Sequence, residues 1–196
     1  MRMRGVTMRL PRFARITAFG LAAFGSALVS LAPAAHAQNK ENMLIMQTSE
    51  GGPVVIEMRP DLAPKTVAHI KELVRKKFYD GIVFHRVIAG FMAQTGDPTG
   101  TGTGGSPLGK VKAEFNTEPH VRGTVSMARS SDPDSADSQF FICYAPQSYL
   151  DRQYTVWGKV ISGMEYIDKL KKGAGQSGMV TNPDKIVSLR VAADAQ

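Results

Sequence analysis

The chain has 196 residues, with 24 lysines and arginines against 17 aspartates and glutamates, and one cysteine. This length suits one domain. A single cysteine excludes an intrachain disulfide framework and a zinc site built from several thiolates. The formal net charge of +7 would suit a nucleic-acid-binding protein only if the basic residues belonged to the working domain.

Much of the positive charge lies at the N-terminus, where residues 1–37 have the layout of a secretory signal peptide. This segment contains five arginines and no acidic residue, then an uncharged apolar run at 16–32. It ends in Ala35-His36-Ala37, an A-x-A cleavage pattern. We expect cleavage between Ala37 and Gln38, which leaves residues 38–196 as one domain in the periplasm or outside the cell.

A retained membrane anchor is the alternative interpretation of this segment. Its apolar run is short for a span of about 20 residues and is interrupted by glycine and serine. We therefore expect no stable membrane anchor after cleavage. Without residues 1–37, 19 basic and 17 acidic residues remain, a net charge of +2. That balance is too small to predict a nucleic-acid partner.

The first part of the predicted domain is a hairpin followed by a helix. Strands are predicted at 43–48 and 53–58, with Gly51-Gly52 marking the turn. A proline-containing stretch at 60–64 then opens a helix, since proline is tolerated in a first turn. The apolar positions of this helix recur at spacings of three and four: Val67, Ile70, Val74 and Phe78.

After Gly81, short apolar or β-branched runs are separated by glycine-rich loops. They predict six more strands, at 82–88, 91–95, 124–128, 139–143, 155–160 and 186–191. A second helix is predicted at 164–172, with Gly173 as its stop. Eight short strands and two helices predict a mostly β fold, a closed or nearly closed antiparallel barrel, because closure removes exposed strand edges.

The glycine-rich segment 96–109 contains two incomplete nucleotide-binding patterns. Gly100-x-Gly102-x-x-Gly105 matches the dinucleotide fingerprint, but poor helix-forming residues follow it. The stretch ending in Gly109-Lys110 resembles a phosphate-binding loop, but valine follows where a hydroxyl should hold magnesium. We expect a tightly folded surface loop, with a nucleotide-dependent enzyme as a weaker hypothesis.

The histidines and the cysteine predict no metal site and no nucleophilic chemistry. His69, His85 and His120 follow the predicted signal, and none pairs with another at metal-ligand spacing. We expect His69 to be solvated on its helix and Cys143 to be a buried, inert thiol in a strand. The sequence contains no G-x-S-x-G nucleophile elbow.

The stretch that begins at Phe84 places one arginine and one amide among large apolar side chains. In a strand, Phe84, Arg86 and Ile88 would share a face. Arg86 then either points into an apolar site or covers the barrel rim with its stem, and the local pattern leaves both open. The pairing of an amide with an aromatic recurs at Gln139 and Phe141. An apolar pocket with a few convergent polar groups is typical of a small binding site.

At these residues the chain resembles the cyclophilin family of peptidyl-prolyl cis-trans isomerases. Residues 84–97 (FHRVIAGFMAQTGD) are similar to the family signature. Residues 126–128 and 138–142 are similar to its second block, and residues 156–160 (VWGKV) to a third. The order and spacing fit from about 43 to 191, and a short loop at 106–112 resembles compact bacterial members.

The resemblance implies a closed eight-stranded antiparallel barrel capped by two α-helices, and isomerase activity on X-Pro bonds in exported proteins. It implies a monomer without cofactor or metal whose partners are proline-containing peptides and unfolded exported proteins. The alternative is a proline-peptide binding module or holdase with little turnover. The implied catalytic residues are Arg86, Phe91, Gln94 and Phe141. The implied substrate-binding residues are Met92, Ala128, Arg129, Gln139, Tyr149, Leu150 and Tyr154.

Three of these positions depart from the family pattern. Tyr149 stands where many members have tryptophan, Tyr154 where the family has a pocket histidine, and Arg129 where asparagine is common. A smaller ring at 149 covers less of cyclosporin and offers no indole N–H, so the resemblance implies only weak cyclosporin binding.

Overall fold

The computed structural model describes residues 40–195. Most of the secondary structure is β-sheet, with two α-helices. The strands are β1 (Met43–Thr48), β2 (Gly51–Met58), β3 (Arg86–Ile88), β4 (Met92–Thr95), β5 (Thr124–Met127), β6 (Phe140–Cys143), β7 (Val156–Ser162) and β8 (Ile186–Val191). The helices are α1 (Pro64–Arg75) and α2 (Met164–Lys169), and short 3₁₀ turns lie at Pro133–Ser135 and Ser148–Leu150.

The strands form one antiparallel sheet in the order β3-β4-β6-β5-β7-β2-β1-β8. The sheet curls, and β3 and β8 at its two ends form no regular ladder with each other. The segment before β3 meets the start of β8 at an isolated bridge between Val83 and Lys185, with a hydrogen bond from Phe84 N to Asp184 O (2.8 Å). The prediction of a closed barrel is therefore confirmed only as a curled half-barrel of eight antiparallel strands with two helices.

The loop at 173–179, rather than β8, forms the hydrogen bonds with the backbone of β3 at its free edge. Val87 N donates to Gly178 O (2.8 Å), and Gly173 N donates to Val87 O (2.9 Å). Arg86 is also bridged to Met179. Residues 173–179 thus lie along this edge of β3. Of the strand predicted at 82–88, only Arg86–Ile88 belongs to the regular ladder.

Both helices are shorter than the sequence predicts. The first begins at Pro64, after a turn that contains Pro60, and ends before Phe78. The second ends at Lys169, because Leu170 adopts an extended conformation (φ −51°, ψ 137°). The apolar spacing that defined the first helix is confirmed at Val67, Ile70 and Val74, which are all buried.

The sheet separates two apolar clusters. Along β6, Phe140 and Ile142 enter the main core, whereas Phe141 and Cys143 lie on the opposite face. There they form a small cluster with Met92 and Leu150. This alternation follows from the two-residue period of a strand and places a second, shallower apolar surface outside the main core.

The structure also tests the predicted burial of Cys143 and the predicted exposure of His69. Cys143 is buried, as predicted, and burial raises the pKa of its thiol to about 12. The prediction of a solvated His69 is wrong, because its side chain is only 11% exposed, with Nε2 3.7 Å from the Asp137 carboxylate. The loop that carries Asp137 covers this face of α1.

Within residues 40–195, no helix is long and apolar enough to cross a membrane. In the same part of the chain, no three histidine, cysteine, aspartate or glutamate side chains come together as a candidate metal site. The predicted signal peptide, residues 1–37, lies outside the described residues.

Candidate active site

The site is built on a transverse row of side chains across four neighbouring strands. Arg86 on β3 is the register partner of Gln94 on β4, which is in turn the partner of Phe141 on β6. Phe141 is opposite Ser126 on β5. Directly opposed residues of antiparallel strands point to the same face. The register therefore brings together residues far apart in the sequence.

Phe84 does not share this face with Arg86, contrary to the sequence expectation. The strand begins only at Arg86, and Phe84 lies fully buried in the main core. Arg86 and Ile88 instead lie on the side of the small apolar cluster. The break in alternation occurs because residues 82–85 precede the ladder of β3.

Nine of the eleven predicted site residues line one cavity of about 120 Å³. They are Arg86, Phe91, Met92, Gln94, Ala128, Arg129, Phe141, Leu150 and Tyr154. The other two lie at its margins. Gln139 lines an adjoining cavity of about 430 Å³. Tyr149 is 60% exposed, with its ring centroid 6.0 Å from that of Phe91.

The Arg86 guanidinium is held by hydrogen bonds at two of its three nitrogens. Its Nε donates to Ser177 O (2.9 Å), and its Nη1 donates to Gln94 Oε1 (3.3 Å). The guanidinium carbon lies 5.8 Å from the centre of the Phe91 ring. Within residues 40–195, Nη2 has no hydrogen-bond partner, so a charged donor remains for a ligand in the cavity.

The amide of Gln94 is fixed by a second amide. Its Nε2 donates to Gln139 Oε1 (2.9 Å), and Gln139 Nε2 donates to Gly104 O (2.8 Å) and Gly102 O (3.1 Å). Gln139 thus connects the site to the glycine-rich loop. The orientation of both amides follows from this chain of donors, which leaves Gln94 Oε1 facing the arginine.

The glycine-rich loop is a surface loop folded around one carboxylate, as the sequence predicts. Asp97 accepts hydrogen bonds from the backbone N–H groups of Thr99 (2.7 Å), Gly102 (2.5 Å) and Gly104 (3.1 Å). Burial alone would raise the pKa of Asp97, but a hydrogen bond from the Thr99 hydroxyl (2.8 Å) and these backbone bonds outweigh it and lower the pKa to about 2. The loop therefore serves as a rigid support for Gln139.

The apolar wall of the cavity is contributed by residues from three separate segments. Met92, Phe141 and Leu150 are buried, and Tyr154 packs against them with its ring edge-on to Phe141 (5.9 Å between centroids). The Arg129 guanidinium lies 4.5 Å from the centre of the Tyr154 ring, and its Nη2 donates to Gln153 O (2.9 Å). Arg129 therefore supports the wall as a cation over an aromatic face.

Sequence reasoning assigned no role to two groups that support the site. The Ser177 carbonyl holds Arg86, and no side-chain pattern signals a backbone acceptor 91 residues away. His120, known only as a histidine without a metal partner, lies behind Phe141 with its ring nearly parallel (18°) at 6.0 Å. Its position, six residues before the second motif block begins at Ser126, was no signal of this role.

Comparisons with known proteins agree with this architecture. The family described as cyclophilin type peptidyl-prolyl cis-trans isomerase/CLD matches residues 43–191. A probable peptidyl-prolyl cis-trans isomerase of Brucella suis biovar 1 (strain 1330) is 48% identical over 192 residues, covering 92% of this chain and 97% of that protein. Peptidyl-prolyl cis-trans isomerase B of Bacillus subtilis (strain 168) is 44% identical over 126 residues, covering 63% of this chain and 87% of that protein.

Solved structures show the same fold. Cyclophilin AquaCyp293 from Hirschia baltica superimposes with a TM-score of 0.72 at 31% identity, covering 80% of this chain and 76% of that one. A Cryptosporidium parvum cyclophilin type peptidyl-prolyl cis-trans isomerase, crystallised in the presence of the dipeptide Ala-Pro, gives a TM-score of 0.70 at 31% identity, covering 76% and 98%. Sequence, fold and relatives thus confirm the resemblance, and the chain belongs to the cyclophilin family of peptidyl-prolyl cis-trans isomerases.

Proposed function

We propose that this isomerase works by donating a hydrogen bond from Arg86 to the proline nitrogen while the X-Pro bond twists. Rotation about the planar bond meets a barrier of about 18–20 kcal/mol from amide resonance. In the twisted form the nitrogen loses conjugation and regains a lone pair. A donor aimed at that nitrogen stabilises the twisted form more than the planar one, which lowers the barrier.

The observation that supports this role is that Arg86 lines the apolar cavity while its Nη2 has no hydrogen-bond partner among residues 40–195. Arginine stays charged at every working pH, and its planar fork can be held rigidly by two acceptors. Ser177 O and Gln94 Oε1 are those acceptors here. A donor fixed before the reaction costs no reorganisation when the nitrogen lone pair appears.

The apolar cavity is the proposed site for the proline ring. Phe91, Met92, Phe141 and Leu150 line it, and its volume of about 120 Å³ suits a small ring. The Cryptosporidium parvum relative was crystallised in the presence of Ala-Pro, which supports proline peptides as the ligand class. While these side chains grip the ring, the preceding carbonyl can swing.

The remaining site residues are proposed to hold the substrate backbone. Gln94 and Gln139 present fixed amides beside Arg86. Ala128 and Arg129 follow β5 and border both cavities, where they can meet the residues before proline. Tyr149 is proposed to form an exposed rim that cyclosporin would contact weakly.

We also propose that the substrates are unfolded proteins exported with this chain, whose folding it assists as a monomer in the periplasm or outside the cell. The layout of residues 1–37 supports this location. N-terminal sequencing of the protein recovered from the exported fraction tests it. A mature chain that begins at Gln38 is expected, and an intact Met1 on exported or membrane-bound protein would contradict it.

A peptide isomerase assay on wild type and Arg86→Ala tests the mechanism. Wild type is expected to turn over a prolyl peptide, and Arg86→Ala to lose most of that rate. Arg122→Ala is the matched control, because Arg122 is an exposed arginine paired with Asp168 and does not line the cavity. Equal rates in wild type and Arg86→Ala would support a binding module or holdase instead.

A further inference from the structure

A chain of polar side chains, in which a histidine and a serine are buried and an aspartate is about one-third exposed, lies behind the apolar wall of the site. His120 Nδ1 lies 3.0 Å from Asp151 Oδ1, and His120 Nε2 lies 3.1 Å from Ser126 Oγ. His120 and Ser126 are 1% and 0% exposed. The backbone N–H of His120 also donates to Asp151 Oδ1 (2.8 Å). The imidazole is therefore held at both of its nitrogens.

The serine, histidine and aspartate do not form a hydrolytic site. The Ser126 hydroxyl is fully buried and lies 2.9 Å from Thr155 O. A fully buried hydroxyl is out of reach of a substrate. The three groups thus act on their surroundings through packing rather than through nucleophilic attack.

The surroundings of His120 are residues that line the cavity. Its ring stacks on Phe141 (6.0 Å between centroids, 18° between planes) and meets Tyr154 edge-on (6.5 Å, 83°). Asp151 directly follows Leu150, a third lining residue. The terminal torsion of an aromatic side chain has a broad energy well, so the plane of Phe141 depends on what lies behind it.

The hydrogen-bond network is complete when the imidazole is neutral. Nδ1–H then donates to Asp151, and Nε2 accepts from the Ser126 hydroxyl. Thr155 O keeps a donor in that state, because Met127 N also donates to it (3.0 Å). Burial lowers the pKa of His120, while the hydrogen bond to Asp151 raises it, and the net shift is downward. The ring is thus clamped in one plane by a bond at each edge.

We propose that His120 is a positioning residue of the isomerase, held in plane by Asp151 and Ser126. Its ring sets the orientation of Phe141 and Tyr154 against the substrate. This inference rests on the proposed assignment of the adjacent cavity to the proline ring. These hydrogen bonds to His120 position the apolar side chains that contact the proline ring and do not involve the Arg86 guanidinium. Their loss should therefore raise KM for a prolyl peptide more than it lowers kcat.

Three substitutions at Ser126 and Asp151, the two hydrogen-bond partners of the His120 imidazole, test the proposal. Ser126→Ala and Asp151→Ala each remove one partner of the imidazole, and each is expected to raise KM about 3- to 10-fold, the equivalent of one lost hydrogen bond. Asp151→Asn keeps an Oδ1 acceptor for both His120 donors, so it should stay within about 2-fold of wild type. KM and kcat are obtained from exchange NMR on one prolyl peptide, and melting temperatures show that each variant is folded.

Tyr144→Phe is the control for a purely structural effect. Tyr144 is buried, and its hydroxyl donates to Ile167 O (2.9 Å) without lining the cavity. This variant should lower the melting temperature comparably and leave KM unchanged. The proposal is overturned if the folded Ser126→Ala and Asp151→Ala keep the wild-type KM, or if Tyr144→Phe raises KM as much as they do.

A separate measurement distinguishes failure of the clamp from failure of the proline pocket. On wild type, the methyl resonances of Met92 and Leu150 must shift when the prolyl peptide is added. If they do not, the assignment of the cavity to proline is wrong. If they do, and the clamp variants bind normally, only the role of His120 is wrong.

Discussion

Arg86 and Gln94 are directly opposed on β3 and β4, and Nη1 of the arginine donates to Oε1 of the glutamine at 3.3 Å. The register of two short strands therefore selects which edge of the guanidinium is occupied. Ser177 O holds the Nε edge. Among the described residues Nη2 has no partner, so the donor left for a substrate is decided by backbone pairing rather than by the arginine alone.

Substitution of Arg86 should affect the rate more than the fold. Arg86→Ala is expected to lower kcat/KM at least about 100-fold, or roughly 2.7 kcal/mol, the low end for loss of a preorganised donor. Arg86→Lys should also be strongly impaired, because an ammonium cannot reproduce the planar fork held by two acceptors. Near-normal kcat/KM for Arg86→Ala in a coupled prolyl-peptide assay would contradict the assignment.

The value of kcat/KM should be independent of pH between about pH 6 and 8. Arginine does not titrate in this interval, and the proposed mechanism transfers no proton. The measurement is kcat/KM for one prolyl peptide across the interval at constant ionic strength. A steep step near pH 6.5 would instead show that a histidine takes part.

Stability should fall on acidification because buried histidines resist protonation. Burial lowers the pKa of His85, and neither of its ring nitrogens has a hydrogen-bond partner within residues 40–195. The unfolded chain takes up this proton near pH 6.5. The free energy of unfolding should thus decrease as pH falls below about 6.5 toward the folded pKa, by up to about 1.4 kcal/mol per pH unit for this group.

Urea unfolding at pH 7.5 and 5.5 measures this loss. His85→Phe keeps a flat ring and removes the titrating group, so its free energy of unfolding should depend less on pH than that of wild type. Identical pH dependence in the two proteins would show that the acid sensitivity lies elsewhere. His120, whose pKa burial also lowers, is expected to supply part of the remaining slope.

Gly96 should not tolerate a side chain. It has φ +91°, and a Cβ there would come against the carbonyl of Ser138 and the Cα of Gln139. Gly81 also has positive φ (+82°), but a Cβ there meets nothing within 4 Å. Gly81→Ala should therefore lower the free energy of unfolding only by the backbone strain, about 1–3 kcal/mol. Gly96→Ala should lower it by more and should displace Gln139.

Thermal unfolding and the peptide assay together check this pair. We expect Gly81→Ala to keep its activity at a temperature where it is folded. Gly96→Ala should lose activity under the same conditions, because Gln139 supports Gln94. Equal free energies of unfolding in the two variants would mean that the backbone at Ser138 and Gln139 shifts to accommodate the Cβ without loss of stability.

Cyclosporin affinity should respond to the ring at position 149. Tyr149 is 60% exposed beside Phe91 at the rim of the cavity. Tyr149→Trp adds ring area and an indole N–H, and is expected to tighten binding about 3- to 10-fold, the equivalent of one hydrogen bond. Tyr149→Phe is the control, since it adds neither. The measurement is calorimetric titration, and equal affinity in all three proteins would contradict the role of this rim.

Much of the fold and site could be predicted because their signals are local. The alternation of apolar residues located the β-rich segments, and the spacing of Val67, Ile70 and Val74 located the first helix. The motif around Arg86 identified the family, which the comparisons confirm. Nine of the eleven predicted site residues then line one cavity. The family resemblance, rather than strand periodicity, identified these eleven residues.

Other features depended on which distant segments meet. The loop at 173–179 pairs with the edge of β3, while residues 82–85 leave the regular ladder and Phe84 lies in the main core. The same loop brings Ser177 O to Arg86. His69 is covered rather than solvated because a loop folds over its helix.

The motifs of the chain were enough to identify the family, the positions of most strands along the chain, and the residues of an apolar site with a charged donor. Which edge of Arg86 remains open, and which side chain lies behind Phe141, depended on how distant segments pack together. These features could not be predicted because hydrogen-bonding groups are limited in the number of bonds they can form. Each donor and acceptor has a small number of partners, and competition among segments far apart in the chain settles which partners they are.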